Sequence, residues 1–461
     1  MSSEEGDPTM PDGIGQTTAR PASQASMGRL IRRILLVLVI GYSVAHLGYS
    51  LWRYRIWGRD ASTIVYGADV RRPWMEAKQW KAGKPLLLKE VIYPPLYYAL
   101  MLPWTHLEYR VVEPIFYVSQ FFWYFLAMWL MVKIAFLGKP PPAMAYVLAT
   151  VLTVNFHPFL ETVALYKVEG MEMCLICLAI YAFKHKQDVA AGIITVFAAN
   201  LKYLPGILIL YFLLKRERRV ILGMLIASAL LLAILLPIFG TKLLAEYATY
   251  PLTFLFGHSL WGTGAEASFE FQTLTGTVNR WFAGLAGMQE NLSMQRYAPV
   301  LHPRAALLIS STLKLLFIGL YLWLMRRRWP APQRLARWYT VLYEMFLTLI
   351  MIFIISPISL IHYGILLLPA FVMTGLIFYQ HAPRFRLKDK LLFAMAYALT
   401  AVIIPGGVWN RLFPPHPVWH ERHAWVYFWL SFPFYGYLLL GASILLCLRR
   451  LRTEFETHES R

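Results

Sequence analysis

Charged residues make up only 15% of this 461-residue chain, where soluble domains carry about 25%. That is too little charge to cover the two or three soluble domains such a length would ordinarily form. Cysteine is scarcer still, and its three residues exclude a disulfide framework. Cys174 and Cys177 have CxxC spacing, but they sit in an apolar run without a second ligand pair, so they read as core packing rather than zinc or redox chemistry. HExxH, paired DxD, GxGxxG and P-loop patterns are missing, so neither a metal site of specific type nor a nucleotide substrate is expected. What the chain does have is 58% hydrophobic and 15% aromatic residues. Its net charge of +19 would suggest nucleic acid on a soluble protein. On a lipid-embedded chain it is the excess carried by basic loops facing an anionic inner leaflet, so no nucleic-acid partner is expected. These features predict an all-α polytopic membrane protein.

Residues 1–27 have no apolar period and read as a disordered cytoplasmic tail. Residues 28–448 form the expected transmembrane domain, and 449–461 a second cytoplasmic tail. Arg29, Arg32 and Arg33 precede the first apolar stretch, which places the N-terminus inside. Later basic clusters fall at Lys184/Lys186, Lys215–Arg219, Arg326–Arg328, Arg384–Lys390 and Arg449–Arg452, and the same rule places all of them inside. The apolar stretch 189–214 then has both ends inside, so it must rise and return with a turn near Asn200–Pro205. Its legs of about 12 residues are shorter than the roughly 20 that a crossing needs. Irregular backbone at that depth survives only where it lines a wet cavity, which makes the hairpin tip a candidate wall of an active site. Parity between the first helix and Lys184 requires one apolar stretch not to cross. The segment 91–104, with Pro94, Pro95 and Pro103, is the first choice, although demoting 171–183 satisfies the same parity. About twelve spans result, with outer loops at about 52–90 and 240–304.

Ionisable residues at membrane depth are expensive and therefore functional candidates. Asp69, in GADVRRPW, could accept the proton of an attacking hydroxyl; the plainer reading is a helix-capping carboxylate, and Asp60 competes for the role. Lys202 sits at the hairpin tip, where it either snorkels to water or meets an anion. Glu161, Lys167, Glu169 and Glu172 cluster in ETVALYKVEGMEM, where mutual ion pairing competes with a functional role. His362 follows a Ser-Pro break in SPISLIHY, and His157 precedes Pro158. The first loop is rich in arginine and lysine, Arg71 and Arg72 included, which suits either a helix on the membrane surface or a seat for an anionic headgroup.

The order of these elements is a loop Asp upstream of AGKP, then Tyr93-Pro94-Pro95, an LKYLP hairpin running into KRERR, and a late SPISLIHY. It resembles glycosyltransferase family 87, polyprenyl-phosphate-sugar-dependent enzymes of the GT-C fold that include mannosyltransferases and arabinosyltransferase-like proteins. The resemblance implies a GT-C-like helix bundle in the bacterial inner membrane with its active site on the outer face. It implies Asp69 as catalytic base and Lys202 and His362, with Arg71 and Arg72, as ligands of the donor phosphate. Tyr93, Glu169 and Glu172 become contacts for sugar or acceptor. The implied partners are a polyprenyl-phosphate-linked sugar donor, mannose foremost, a glycolipid or glycan acceptor, and membrane lipids. Where the family usually shows Gly-Gln, this chain has Gly170-Met171-Glu172, a departure that bears on which sugar is taken.

The chemistry agrees with this on separate grounds. A phosphate leaving group already carries negative charge, so cationic side chains can serve it without a metal or other cofactor. A single displacement inverts the anomeric carbon and needs no second carboxylate. A lipid or lipid-linked-sugar flippase is the alternative from a different class, since it too uses intramembrane charge and broken helices. It would ordinarily show internal repeats, and none is evident here.

Overall fold

The computed structural model describes residues 34, 36–49, 68–84, 86, 93–136, 139–164, 167–255, 273–278, 303–326, 334–356, 361–401 and 431–459. Among these the regular structure is helical throughout, and the chain is an all-α polytopic membrane protein. Asp60, most of the 240–304 loop and the N-terminal tail lie outside the described residues. The first helix, α1 (Leu36–Tyr49), is a short apolar segment whose side chains are largely exposed, as suits a surface solvated by lipid.

The remaining helices are α2 (Ala68–Lys81), α3 (Pro95–Met101), α4 (Tyr109–Ala135), α5 (Ala143–Val154), α6 (His157–Ala164), α7 (Glu169–Lys184), α8 (Asp188–Leu201) and α9 (Ile207–Lys215). They continue as α10 (Arg218–Leu255), α11 (Leu274–Val278), α12 (Pro303–Arg326), α13 (Arg334–Ile355), α14 (Leu368–Gln380), α15 (Leu387–Ala401) and α16 (Phe432–Glu459). Six described helical segments are long and apolar enough to cross a membrane, or seven if the bent pair α5–α6 is one span. The bend between α5 and α6 is 72°. It falls just before Pro158, which lacks the N–H needed to continue the ladder.

Burial sorts these helices into layers. The segment His362–Gln380 is 94% buried and forms the centre, whereas Leu308–Arg326 is only 17% buried and sits at the edge. The exposed faces of α4, α10 and α12 carry Val118, Phe125, Leu225, Leu232, Leu308 and Leu315, which are apolar surface without water to meet.

Several long side chains bring the basic helix ends together. Lys184 Nζ donates to the Lys133 carbonyl (2.8 Å) and Gln380 Nε2 to that of Ala135 (3.1 Å), which gathers the C-terminal ends of α4, α7 and α14. Lys215 Nζ donates to the Met325 carbonyl (3.0 Å) and pairs with Glu344 (2.6 Å), joining the ends of α9 and α12 to α13.

The same end sets the course of the short pair α8–α9. A Cβ added to Gly192 would stand 2.0 Å from the Val220 carbonyl oxygen, and one on Gly223 would stand 2.1 Å from that of Val189. Thus α8 and α10 touch backbone to backbone at their beginnings, possible only with glycine at both positions. Since α9 ends at Lys215, beside the start of α10 at Arg218, α8 and α9 begin and end at one level. They form the re-entrant hairpin that the basic clusters predict. The legs are 14 and 9 residues long. The break is at Lys202, whose backbone is extended (φ −157°, ψ 151°).

Within the stretch 91–104 the described residues form α3, of 7 residues, and the start of a 3-10 turn, Leu102–His106, of 5 residues, each too short to cross on its own. Helix α7 is longer, at 16 residues, and runs to the basic end. In α10, Gly240 takes φ 74°, a left-handed value that suits glycine, and the helix is kinked there.

Candidate active site

With a rise of 1.5 Å per residue, the 16 residues of α7 place Glu169 about 24 Å from the basic end, and the 14 of α8 place Lys202 about 21 Å from it. Both distances are shorter than the roughly 30 Å thickness of a hydrocarbon slab. The hairpin tip meets the start of α7 and the 3-10 turn Ile361–Leu367. Lys202 is buried and its Nζ pairs with Glu169 Oε1 at 2.5 Å, so it does not snorkel. The ammonium also lies over two aromatic faces, Tyr363 at 4.3 Å and Tyr93 at 5.2 Å from the ring centres. Such faces attract a desolvated cation.

His362 is buried beside the same carboxylate. Its Nε2 is 3.2 Å from Glu169 Oε1 and 3.1 Å from Lys167 Nζ. Its Nδ1 lies 3.6 Å from Glu161 Oε1, and Glu161 Oε2 is 3.9 Å from His157 Nε2. Two lysines, two glutamates and two histidines are therefore linked in one cluster. Mutual pairing within residues 161–172 is not the arrangement found for Glu169, whose ion partner is Lys202, 33 residues away. Glu172, one turn further along α7, is fully buried, and neither of its oxygens has a hydrogen-bond partner in the protein.

Lys202, His362, Tyr93 and Glu169 are thus brought together, with Glu172 alongside. Asp69 lies in the first turn of α2, and its side chain is outside the described residues. That helix is held over α3 and α10: Trp74 Nε1 donates to the Trp104 carbonyl (3.0 Å), Tyr98 OH donates to Glu76 (2.8 Å), and Trp80 packs on Phe239. Burial and the Glu76 carboxylate push the Tyr98 hydroxyl far above its ordinary pKa, so it remains a donor. Arg72 pairs with Glu76 (2.8 Å), and the Arg71 guanidinium lies 5.8 Å from the centre of the Tyr109 ring. These arginines serve the α2–α4 side of the structure, while Lys167 is the second cation of the buried site.

Sequence reasoning passed over Tyr363, although its position beside His362 was a signal.

An apolar groove of about 240 Å³ adjoins this site. Leu96 and Leu100 of α3, Met171 and Leu175 of α7, and Ile193, Phe197 and Leu201 of α8 line it. Two of its lining residues, Leu201 and Met171, are chain neighbours of Lys202 and Glu172, while the lining itself is wholly apolar. Leu100 is 43% exposed, at the open side.

The model of Glycosyltransferase family 87 matches residues 92–357, more than half of the chain. No curated protein matches it.

Proposed function

The chain belongs to glycosyltransferase family 87 and is a membrane glycosyltransferase, and we propose that its donor is a polyprenyl-phosphate sugar, mannose foremost. In this reading the sugar passes to a lipid or glycan acceptor at the outer face of a bacterial inner membrane, by one inverting displacement that needs no metal. The observation that carries it is the buried cationic cluster of Lys202, Lys167 and His362, together with an apolar groove whose lining includes the chain neighbour of Lys202, Leu201. A lipid phosphate has both halves of that chemistry. Its chain lies along the groove, and its anionic head meets the ammonium groups.

Each lysine ammonium has three protons to donate. Glu169 takes one from Lys202, and the donor phosphate takes another, so that Glu169 orients the cation during turnover. Negative charge grows on the departing phosphate oxygen, which strengthens these charge-assisted bonds in the transition state and so lowers the barrier. Asp69 is the general base for the acceptor hydroxyl. The outward orientation follows from the basic end being cytoplasmic.

The test incubates the purified protein with radiolabelled polyprenyl-phosphate sugars and a panel of membrane glycolipids. Label moving to an acceptor with EDTA present is the expected result. If no sugar leaves any polyprenyl phosphate, the donor assignment fails.

A further inference from the structure

The buried site has a second side, with a different chemistry from that of the lysines. On α4, Gln120 and Tyr124 point at the first turn of α7, where Gly170 has no side chain. A Cβ there would stand 2.7 Å from Gln120 Oε1 and 2.9 Å from the Tyr124 hydroxyl. Gln120 Oε1, Tyr124 OH, Glu169 Oε2 and both oxygens of Glu172 are buried without a hydrogen-bond partner in the protein. Thr162 is close to Tyr124, and because its own proton goes to the Pro158 carbonyl at 2.6 Å it can only accept from the phenol, which leaves the phenol oxygen to accept from elsewhere. Each such atom has given up its hydrogen bonds to water and, if nothing meets it, weakens the fold. Five of them on two facing helices are a cost the fold would shed unless a ligand meets them.

Their chemistry defines that ligand. Four of the five atoms are amide or carboxylate oxygens, which accept, and the fifth is a phenol that can do either. A phosphate brings only acceptors and would be repelled by the carboxylates. A sugar ring brings a row of hydroxyl donors, and a carboxylate can accept from two neighbouring hydroxyls at once.

We propose that Gln120, Tyr124, Glu172 and the outer oxygen of Glu169 form a hydroxyl-binding subsite that selects the sugar. It stands opposite the cationic side formed by Lys202, Lys167 and His362. The inference deepens the glycosyl-transfer reading and rests on it only in taking the ligand to be a sugar. Gly170 is then the residue that lets α4 bring its amide and phenol against α7, next to Glu172.

The experiment uses the full chain in nanodiscs and a panel of methyl hexosides and methyl pentosides, probed by saturation-transfer NMR. At least one glycoside should receive saturation from the wild-type protein. Its affinity should fall tenfold or more in Tyr124→Phe and in Glu172→Gln, each of which removes one hydrogen-bonding function with little change of shape. Melting temperatures near that of the wild type show that these variants are folded. No glycoside signal from the wild type, or wild-type affinity retained in both variants, overturns the subsite; water alone filling these positions would give the first of those outcomes. A second arm measures binding of sugar-free polyprenyl phosphate, which the two variants should leave unchanged. If Lys202→Ala also leaves that binding unchanged, the phosphate reading fails while the glycoside result still stands.

Discussion

Lys202 and Glu169 each lie too deep in the structure to be tolerated alone, since a lone charge removed from water costs several kcal/mol. Glu169→Gln removes the carboxylate that pairs directly with the Lys202 ammonium. Stability should drop by about 3–5 kcal/mol, seen as a lower midpoint of thermal unfolding in detergent. The double variant Glu169→Gln/Lys202→Met should recover part of that loss, and additive losses would show the two side chains to be energetically independent. Lys202→Ala should weaken polyprenyl-phosphate binding about tenfold to a hundredfold, the worth of one hydrogen bond to a charged group. Asp69→Asn keeps shape but cannot accept the proton, so turnover should fall by about 10²–10⁴ while the donor still binds. A variant Asp60→Asn that loses turnover while Asp69→Asn keeps it would transfer the base assignment to Asp60. The candidate residues were legible one by one in the sequence, because a charge in an apolar run is conspicuous. Their partners were not, because Glu161, Lys167 and Glu169 have several equally near neighbours along the chain.

At the scale of elements, the re-entrant hairpin depends on two glycines as much as on its apolar legs. Gly192 and Gly223 let α8 and α10 touch at their bases, and that contact sets the height at which Lys202 is presented to Glu169. Gly192→Ala puts a methyl group against the Val220 carbonyl, which is backbone and cannot rotate away. Overpacking of this kind costs about 1–3 kcal/mol. The expected outcome is a lower melting midpoint together with reduced donor affinity, although the residue lies at the opposite end of α8 from the site. Wild-type affinity in a destabilised Gly192→Ala protein would separate the crossing from the height of the tip. Glycine in an apolar run signals close approach, but the helix it meets was not readable from the run itself. The bend at Asn155 had a clearer signal in Pro158, and the short α3 had one in the three prolines of the stretch 91–104.

For the whole molecule, the basic ends of α7, α9 and α12 gather with the ends of α4 and α14, and the buried charge cluster lies about 24 Å along α7 from there. If the basic end is cytoplasmic, the sides can be told apart by thiol labelling. All three native cysteines are buried, so background labelling should be low. A cysteine replacing exposed Lys84, just beyond α2, should react with an impermeant maleimide applied to intact cells, whereas one replacing exposed Arg218 should react only after the membrane is opened. Labelling of Arg218→Cys in intact cells would invert the topology and with it the side on which the sugar is transferred.

The sequence by itself determined the membrane class, the basic end and the return of the chain between Lys184 and Arg218. These depend on transfer free energies and charge counts that add along the chain whatever the packing. It also identified Asp69, Lys202, Glu169 and His362 as residues whose cost demands a use. Only the tertiary structure decided what each would meet. The Glu169–Lys202 pair joins residues 33 apart and the Lys167–His362 contact residues 195 apart. Both depend on the relative heights of α7, α8 and the turn before α14, which are set by helix crossings such as those at Gly192 and Gly223. The facing of Gln120 and Tyr124 onto Gly170 likewise depends on how α4 is rotated against α7. Side-chain partners over such distances follow from packing geometry to within an ångström or so, and no local pattern in the chain encodes that.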